Sequence, residues 1–300
     1  MSYISISVDI DTLKYYSNFC PGEVSVFNDP ILLYTLPKLL ELFAELDIRA
    51  TFFVIGETIK GHESLFRQIA TEGHELASHS QTHIQGFHQL SLAVKRQELE
   101  KSKKTIEDCT GYPVVGFRAP AYNIDFETLK ILTDTGYHYD SSLFPDWYVP
   151  LSKVVTRFLS KDYQPVTTSP FYQRHWLLPR QSFYWELMDN KLLEIPLPTT
   201  RFGKPFMGTI HLSTSERFFT SEVSWLAQHR ELIPYEVHPT EVADDRVFES
   251  ASWLRNIPGV GKRPDPWKYL RFRLQMLLEL GNVILMREVE NYSGKSIHPG

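Results

Sequence analysis

Two carboxylates stand one residue apart near the start of the chain. Asp9 and Asp11 end the apolar segment YISISVDID, which is typical of a buried strand. Side chains alternate between the two faces of a strand, so both carboxylates are predicted to share a face. An unpaired buried carboxylate is costly and needs a proton, a cation or strong donors. The pair therefore predicts a site; the alternative is a loop pair that makes turn bonds to backbone amides.

The segment GHELASHSQTH, residues 73–83, contains candidate metal ligands. His79 and His83 are four residues apart, and on a helical turn that spacing places both rings on one side. Two imidazoles and one carboxylate form an open site for a divalent metal, with room for water. In this hypothesis Asp11 supplies the carboxylate and Asp9 is the candidate base for the water. The alternative is a pair of structural histidines.

Two more polar residues follow predicted strands. Arg118 precedes a proline-containing turn in GFRAPAYN, and a guanidinium against Asp9 would keep that carboxylate ionised and oriented. His238 ends a strand in YEVHPTEV, where it could protonate a leaving nitrogen as a general acid. A surface arginine and a structural histidine are the alternatives. The aspartate pair, Arg118 and His238 lie at predicted strand ends, where α/β folds usually place their sites.

Short apolar runs alternate with helical patterns along most of the chain. The predicted strands are 3–9, 50–56, 74–78, 114–120, 137–142, 192–197, 232–238 and 283–289. The first predicted helix begins at Asp29 and Pro30 and has an apolar stripe of Leu33, Leu36, Leu40 and Phe43. Further helices are predicted near 65–73, 91–109, 125–136, 215–229 and 265–280. The alternation predicts an α/β fold with a parallel sheet covered on both faces, open or closed as a barrel.

Composition narrows the classes of function. The chain has 300 residues and a net charge of −5, which lacks the basic footprint expected for nucleic-acid binding. Cys20 and Cys109 form neither a metal-spaced pair nor a disulfide framework. The first residues lack the features of a signal peptide, and no run approaches the ~18 apolar residues of a membrane span. We expect a cytoplasmic protein with a single domain over 1–300 and an aromatic-rich insertion at about 143–190.

The motifs SVDID, SHSQTH, GFRAP, YDSS and YEVHP occur in an order and spacing similar to those of the polysaccharide deacetylase family, also known as NodB homology or carbohydrate esterase family 4. The resemblance spans roughly residues 3–290 and implies a distorted, partly closed (β/α) barrel. It implies a divalent metal, with Zn²⁺ the first candidate. The site residues it implies are Asp9 as catalytic base, Asp11, His79 and His83 as metal ligands, Arg118 as tether of the base and His238 as general acid.

The resemblance implies two further groups. A backbone amide just after Arg-x-Pro, here that of Ala121, would be the oxyanion donor. An acidic residue would orient the catalytic His or Arg, with Asp140 as first candidate and Asp146 as second. The family tyrosine expected after Arg-x-Pro is replaced by Ala121, with Tyr122 one place later.

The aspartate motif also departs from that of many secreted members, whose two aspartates are adjacent. The spaced Asp-Ile-Asp form resembles an intracellular branch that includes peptidoglycan deacetylase-like and allantoinase-like members and the lipid-linked aminoarabinose deformylases. The implied function is metal-dependent removal of an N-acetyl or N-formyl group from an amino sugar or glycan, in cell-surface polysaccharide or lipopolysaccharide synthesis. Two alternatives are open: hydrolysis of a small cyclic amide, and a non-catalytic carbohydrate-binding protein.

Two other segments each allow two interpretations. The aromatic residues of the predicted insertion either stack on sugar rings or form a small core of their own; they are Trp147, Tyr148, Trp176, Tyr184 and Trp185. The segment 264–280 either lies at a membrane interface and meets a lipid-linked sugar, or covers the barrel with a solvated basic face of Lys268, Arg271 and Arg273. The sequence leaves the oligomeric state open.

Overall fold

One sheet organises the computed structural model, which describes residues 2–19, 26–145, 178–187, 190–256, 259–292 and 296–297. Its strands are β1 (Ser2–Asp9), β2 (Thr51–Val54), β3 (Glu75–Ser78), β4 (Gly116–Phe117), β5 (Tyr139–Asp140), β6 (Phe183–Leu187), β7 (Asn190–Glu194), β8 (Leu232–Val237), β9 (Gly281–Val283) and β10 (Ser296–Ile297). The strand order is β10-β6-β7-β5-β4-β3-β2-β1-β8, and β9 pairs with the start of β1. The pairs are parallel except β6 with β7, which confirms the predicted parallel-rich α/β class.

Helices connect the strands and cover the sheet. They are α1 (Leu36–Glu45), α2 (Glu63–Thr71), α3 (Leu92–Thr110), α4 (Phe126–Asp134), α5 (Gly208–His211), α6 (Glu216–His229), α7 (Asp245–Ser250) and α8 (Pro266–Leu278). Serine or aspartate side chains accept a hydrogen bond from a first-turn amide at the start of α3, α4, α6 and α8. Such caps satisfy donors that the helix itself leaves unpaired, and they mark these helix starts in the sequence.

The central strands are buried on both faces. Ile4, Ile6 and Val8 of β1 face the main core, and Ser5 and Ser7 on the opposite face are also inaccessible to solvent. Strands buried on both sides are typical of parallel sheets between helices. The parallel arrangement brings the carboxyl ends of β1, β3, β4 and β8 to one edge of the sheet, where the predicted site residues lie.

Two sequence expectations about these elements differ from the structure. Leu33, predicted on the buried stripe of the first helix, is 42% exposed, because Ile31–Thr35 form a π-helical turn before α1 begins. The predicted strand 283–289 ends at Val283, and Met286–Tyr292 form 3-10 turns. The Glu288 carboxylate accepts the backbone N–H of Leu285 at 2.8 Å, which stabilises the turn.

Helix α8 also departs from its predicted basic face. Lys268 is exposed, but Arg273 is fully buried. Among the described residues, no helix is both long enough and apolar enough to cross a bilayer. The predicted insertion is described only in part, since residues 146–177 lie outside the described residues. Its last segment, Phe183–Leu187, is strand β6 of the sheet.

Candidate active site

A cavity of about 200 Å³ opens at the carboxyl edge of the sheet. Its lining includes eight charged, histidine or tyrosine side chains that converge from the ends of β1, β3 and β8 and from the segments that follow β1, β3 and β4. The lining residues are Asp9, Asp11, Tyr15, Tyr16, His79, His83, Gln85, Ala121, Tyr122 and His238. All five predicted base, ligand and acid residues therefore face one space, and Arg118, the predicted tether of the base, lies directly behind Asp9.

Asp9 and Asp11 reach this cavity from different backbone settings. Asp9 is the last residue of β1, whereas Asp11 lies beyond the strand. The backbone N–H of Ile10 still donates to Phe53 of β2 at 3.0 Å, and that of Asp11 donates to the carbonyl of Asp9 at 2.9 Å. A tight turn, and not strand alternation alone, brings the second carboxylate to the cavity.

Asp11, His79 and His83 form what we call the metal half of the site. The Oδ1 atom of Asp11 lies 3.6 Å from His79 Nε2 and 3.4 Å from His83 Nε2. The two histidines do not lie on a helical turn, so that interpretation of their spacing was wrong. Ser80 and His83 have φ values of 65° and 52°, and this left-handed backbone folds the loop back after β3. The Oγ atom of Ser80 accepts the His83 N–H at 3.0 Å and holds the loop closed.

The chemistry of the metal half fits a divalent metal ion. Among the described residues, the buried Asp11 Oδ1 and His83 Nε2 atoms have no hydrogen-bond partner. The Nδ1 atom of His79 lies 2.7 Å from the Arg118 carbonyl oxygen, so Nδ1 carries the proton and Nε2 is left to bind a metal. Burial lowers the pKa of His79 and His83 to about 4, which keeps both rings neutral near pH 7, as metal ligands must be.

Asp9, Arg118, Glu236 and His238 form the acid–base half. Arg118 Nη1 lies 2.5 Å from Asp9 Oδ1, and both side chains are buried. Ser141 fixes the guanidinium from behind, through its carbonyl at 2.9 Å and its hydroxyl at 3.0 Å. Burial alone would raise the pKa of Asp9, but Arg118 together with His79 and His238 outweighs it and holds that pKa below the usual range. Asp9 is therefore an oriented anion at the edge of the cavity.

His238 faces Asp9 and Asp11 from the end of β8. Its Nε2 lies 3.8 Å from Asp11 Oδ2, and its Nδ1 lies 3.2 Å from Glu236 Oε1. Burial favours the neutral ring, but the carboxylates of Glu236, Glu241, Asp11 and Asp9 together outweigh that effect and raise the pKa of His238 to about 10. The imidazole is thus protonated near pH 7, as a general acid must be.

Glu236 is a site residue that the sequence analysis missed. Besides His238, its carboxylate contacts Arg118 at 3.5 Å and accepts a hydrogen bond from the Tyr122 hydroxyl. A signal was present in YEVH, because residues two apart on a strand share a face and Glu236 precedes His238 by two. Glu236 therefore occupies the place beside His238 for which Asp140 was the sequence candidate.

Asp140 lies in a second layer, behind the acid–base half. It accepts hydrogen bonds from the hydroxyl and the backbone amide of Ser142, at 2.6 and 3.2 Å, and it pairs with Glu194. The Ser142 hydroxyl in turn accepts the Ala119 N–H at 2.8 Å, which anchors the turn after Arg118. Burial raises the pKa of Asp140 to about 6 and that of Glu194 further, so the two carboxyl groups share a proton. Asp146, the second candidate, lies outside the described residues.

The turn after Arg118 has an unusual backbone. Ala121 and Tyr122 have φ values of 50° and 58°, a left-handed conformation that costs non-glycine residues of order 1–3 kcal/mol each. The Tyr122 ring packs against Phe144 with centroids 4.2 Å apart, and its hydroxyl binds Glu236. These contacts hold the strained turn at the cavity, where Ala121 was predicted to supply an amide.

The described aromatic residues of the predicted insertion lie away from the cavity. Trp185 is buried in the main core, and its indole N–H donates to Glu194 at 3.1 Å. Tyr184 packs on the other face of β6 and its hydroxyl lies 3.4 Å from Glu290. These two residues support the core interpretation. Trp147, Tyr148 and Trp176 lie outside the described residues.

Comparison with known proteins extends these observations. Residues 26–139 match the family model for polysaccharide deacetylase, a segment that contains His79, His83 and Arg118. A peptidoglycan deacetylase of Helicobacter pylori is 29% identical over 153 residues, which are 49% of this chain and 51% of that protein. A chitooligosaccharide deacetylase of Sinorhizobium fredii is 36% identical over 101 residues, 33% of this chain and 46% of that protein. The chain thus spans about half the length of these curated relatives.

The fold is similar to that of a solved structure from Mycobacterium smegmatis that is described as a polysaccharide deacetylase. The two structures superpose with a TM-score of 0.65 and have 18% sequence identity, and the similarity covers 97% of this chain and 89% of that one. At this identity the similarity establishes the fold, and it confirms the distorted (β/α) barrel that the motifs implied. Residues 26–139 are thus similar to the polysaccharide deacetylase family, and the chain as a whole shares its fold with that solved structure.

Proposed function

We propose that the site hydrolyses an N-acyl group, acetyl or formyl, from an amino sugar or glycan. One observation carries the proposal: an ionised Asp9 and a protonated His238 flank the same three-residue cluster that fits a metal ion. A base and an acid on either side of one metal site are what amide hydrolysis requires, because the water must lose a proton and the leaving amine must gain one. The deacetylase names of the relatives support this reaction class.

The metal half would hold the ion that the reaction needs. Asp11, His79 and His83 offer one oxygen and two nitrogen ligands, a set suited to Zn²⁺. When bound, such an ion would lower the pKa of water and polarise the acyl carbonyl. The mutual distances of 3.4 and 3.6 Å from Asp11 Oδ1 match ligands that share an ion with bonds of about 2.1 Å.

The chain's own residues supply the proton transfers. Asp9 accepts a proton from the attacking water, and Arg118 holds its carboxylate in place. The Ala121 N–H stabilises the oxygen on which negative charge develops, a contribution of about 2.7–4 kcal/mol for one such donor. His238 donates its Nε2 proton to the amine that leaves, and Glu236 stabilises the charged ring before that transfer.

The lining of the cavity favours a sugar as the group that carries the amide. Tyr15, Tyr16 and Tyr122 line it with aromatic side chains, on which a sugar ring could stack, and their hydroxyls contact Glu57, Thr240 and Glu236. A lipid-linked carrier, peripheral membrane contact and a cytoplasmic location stay predictions. Absence of binding to anionic vesicles would remove the membrane idea.

Two measurements test the proposed function. Acetate and formate release is measured on N-acetylated and N-formylated amino sugars, chitooligosaccharides and allantoin, and we expect release from a sugar substrate. Turnover of allantoin alone would favour the cyclic-amide alternative, and binding of sugars without release would favour a carbohydrate-binding protein.

Metal content is measured in parallel. Asp11→Ala and His79→Ala should lose the bound ion, whereas His88→Ala, a matched change of a histidine outside the cluster, should retain it. Full metal content in the two ligand variants would contradict the assignment of the metal half.

A further inference from the structure

Arg273 lies buried where the sequence predicted a solvated residue. It is located in the middle of α8, is inaccessible to solvent and extends toward the end of β8. A buried guanidinium is costly unless it is paired and hydrogen-bonded. Its Nη1 donates to the Gly208 carbonyl at 3.0 Å and to the Tyr235 hydroxyl at 2.8 Å, and its Nη2 lies 3.1 Å from Glu241 Oε2. The charge is thus directed at one carboxylate, that of Glu241.

The second oxygen of Glu241 is directed at His238. Its Oε1 accepts the backbone N–H of His238 at 2.9 Å and lies 3.8 Å from the ring Nδ1. The Thr209 hydroxyl completes the contact, since it lies 3.2 Å from Glu241 Oε1 and 3.3 Å from His238 Nδ1. One carboxylate therefore connects a cation on α8 to both the backbone and the ring of the candidate general acid.

Gly208 shows how closely this carboxylate must approach. A Cβ atom at position 208 would lie 2.2 and 2.3 Å from the two oxygens of Glu241, so no other residue fits there without moving it. Replacement of a buried ion pair by apolar residues is often neutral or stabilising, so stability alone is a weak reason for Arg273 and Glu241. Their position behind His238 gives a stronger reason.

We propose that Glu241, held by Arg273 and Thr209, is a positioning residue that fixes His238 with its Nε2 directed into the cavity. This role rests on the proposed function, in which His238 protonates the leaving amine. Glu236 supplies the nearer charge at Nδ1, and Glu241 sets where the backbone and the ring lie. A small displacement of a catalytic group is enough to slow a reaction by up to about 100-fold.

The test compares Glu241→Gln and Thr209→Val with Glu222→Gln. Glu222 is a matched control, because it is a buried carboxylate that accepts hydrogen bonds from an arginine, Arg201, and from that residue's backbone N–H, at 2.7 and 2.9 Å. With an amide substrate, Glu241→Gln should lower kcat about 10- to 100-fold, with KM and metal content unchanged. Thr209→Val, which introduces no charge change, should lower kcat by a smaller factor. Wild-type kcat in Glu241→Gln, or an equal loss in Glu222→Gln, would overturn the proposal.

A second readout separates this proposal from the proposed function. The His238 ring ¹⁵N resonances are recorded in metal-free protein and assigned by their loss in His238→Gln. They should move in Glu241→Gln and Thr209→Val and stay in place in Glu222→Gln, whether or not any substrate is hydrolysed. Unchanged His238 resonances in Glu241→Gln would overturn the positioning role even if the protein proves to be a deacetylase. Moved resonances in a protein without hydrolytic activity would support the positioning role and count against the proposed function alone.

Discussion

The metal half and the acid–base half lie a few ångströms apart and bury charge in opposite ways. In the acid–base half every charge has a protein partner, since Arg118 binds Asp9 at 2.5 Å and Glu236 lies 3.2 Å from His238. In the metal half the buried Asp11 Oδ1 and His83 Nε2 atoms have no hydrogen-bond partner among the described residues. Buried polar atoms are nearly always satisfied in native proteins. The difference supports the proposal that the metal half binds a cation; in the acid–base half Glu236 Oε1 also lacks a hydrogen bond, but it lies 3.2 Å from the His238 ring.

The residues of the two halves also lie in different kinds of secondary structure. Asp9, Glu236 and Arg118 lie on or directly after strands of the central sheet, where packing on both sides fixes their positions. Asp11 and His83 lie in loops, and His83 has a left-handed φ of 52°. Groups that transfer protons need accurate placement before the reaction, whereas a metal ion can draw its ligands together as it binds. Single substitutions in each half should therefore affect proton transfer and metal binding separately.

The largest expected effect is on catalysis by the acid–base half. Asp9→Asn removes the candidate base and should lower kcat by roughly 10²- to 10⁴-fold, the usual contribution of general-base catalysis. Its metal content should stay at the wild-type level, because Asp9 is not in the metal half. Steady-state kinetics on the substrate found by acyl release, with metal analysis of the same samples, check both statements. Wild-type turnover in Asp9→Asn would contradict the assignment of the base.

Stability without metal should distinguish the two aspartates. In chelator, Asp9→Asn should lower the free energy of unfolding by about 3–5 kcal/mol, since it leaves the Arg118 charge buried without its anion. Asp11→Asn should change it by less than about 1 kcal/mol, because burial already raises the pKa of Asp11 and the cation that faces it, the His238 ring, lies 3.8 Å away, beyond hydrogen-bond distance. Urea unfolding of both variants measures the difference. Equal losses would mean that the two halves bury charge in the same way.

Addition of metal should stabilise the protein through the metal half, so a variant of that half should lose the gain in unfolding free energy and a variant of the acid–base half should keep it. Zn²⁺ at about 1,000 times its Kd should raise the free energy of unfolding of wild-type protein by roughly 4 kcal/mol. Asp9→Asn should gain a similar amount, whereas His83→Ala should gain little. Thermal unfolding with and without Zn²⁺ gives the comparison. A full gain in His83→Ala would place the ion elsewhere.

Much of this arrangement could be predicted from local patterns. The strand alternation, the caps of α3 and α4, and the spacing of the aspartates and histidines are local signals, and they led to the residues that line the cavity. The left-handed backbone at Ser80 and His83 has no such signal, because neither residue is glycine. Arg273 looked solvated because its partner Glu241 is 32 positions away in the chain. What local patterns cannot give is the pairing of charges brought together by the fold.

Asp140 and Glu194 lie behind Arg118 and bury their carboxyl groups by sharing a proton, unlike either half of the site. This pair predicts that the free energy of unfolding depends on pH. Burial raises the pKa of Asp140 from 3.8 to about 6, so between these values the folded protein holds a proton that the unfolded chain has released. The stabilisation is therefore complete below about pH 4 and is lost as the pH rises through 6, and two pKa units correspond to roughly 3 kcal/mol. Asp140→Asn should remove this contribution.

The unfolding free energy in chelator, measured by urea at pH 4 to 7, should thus decline less steeply for Asp140→Asn than for wild-type protein. Asp29, whose pKa burial also raises to about 6, contributes a slope of the same sign in both proteins, so the difference between the two curves reports Asp140 together with Glu194, which shares its proton. If the curves are parallel, Asp140 is ionised as in an unfolded chain. The Asp140–Glu194 pair behind Arg118 would then add a negative charge to that of Asp9. The pKa of Asp9 would depend on that charge as well as on Arg118.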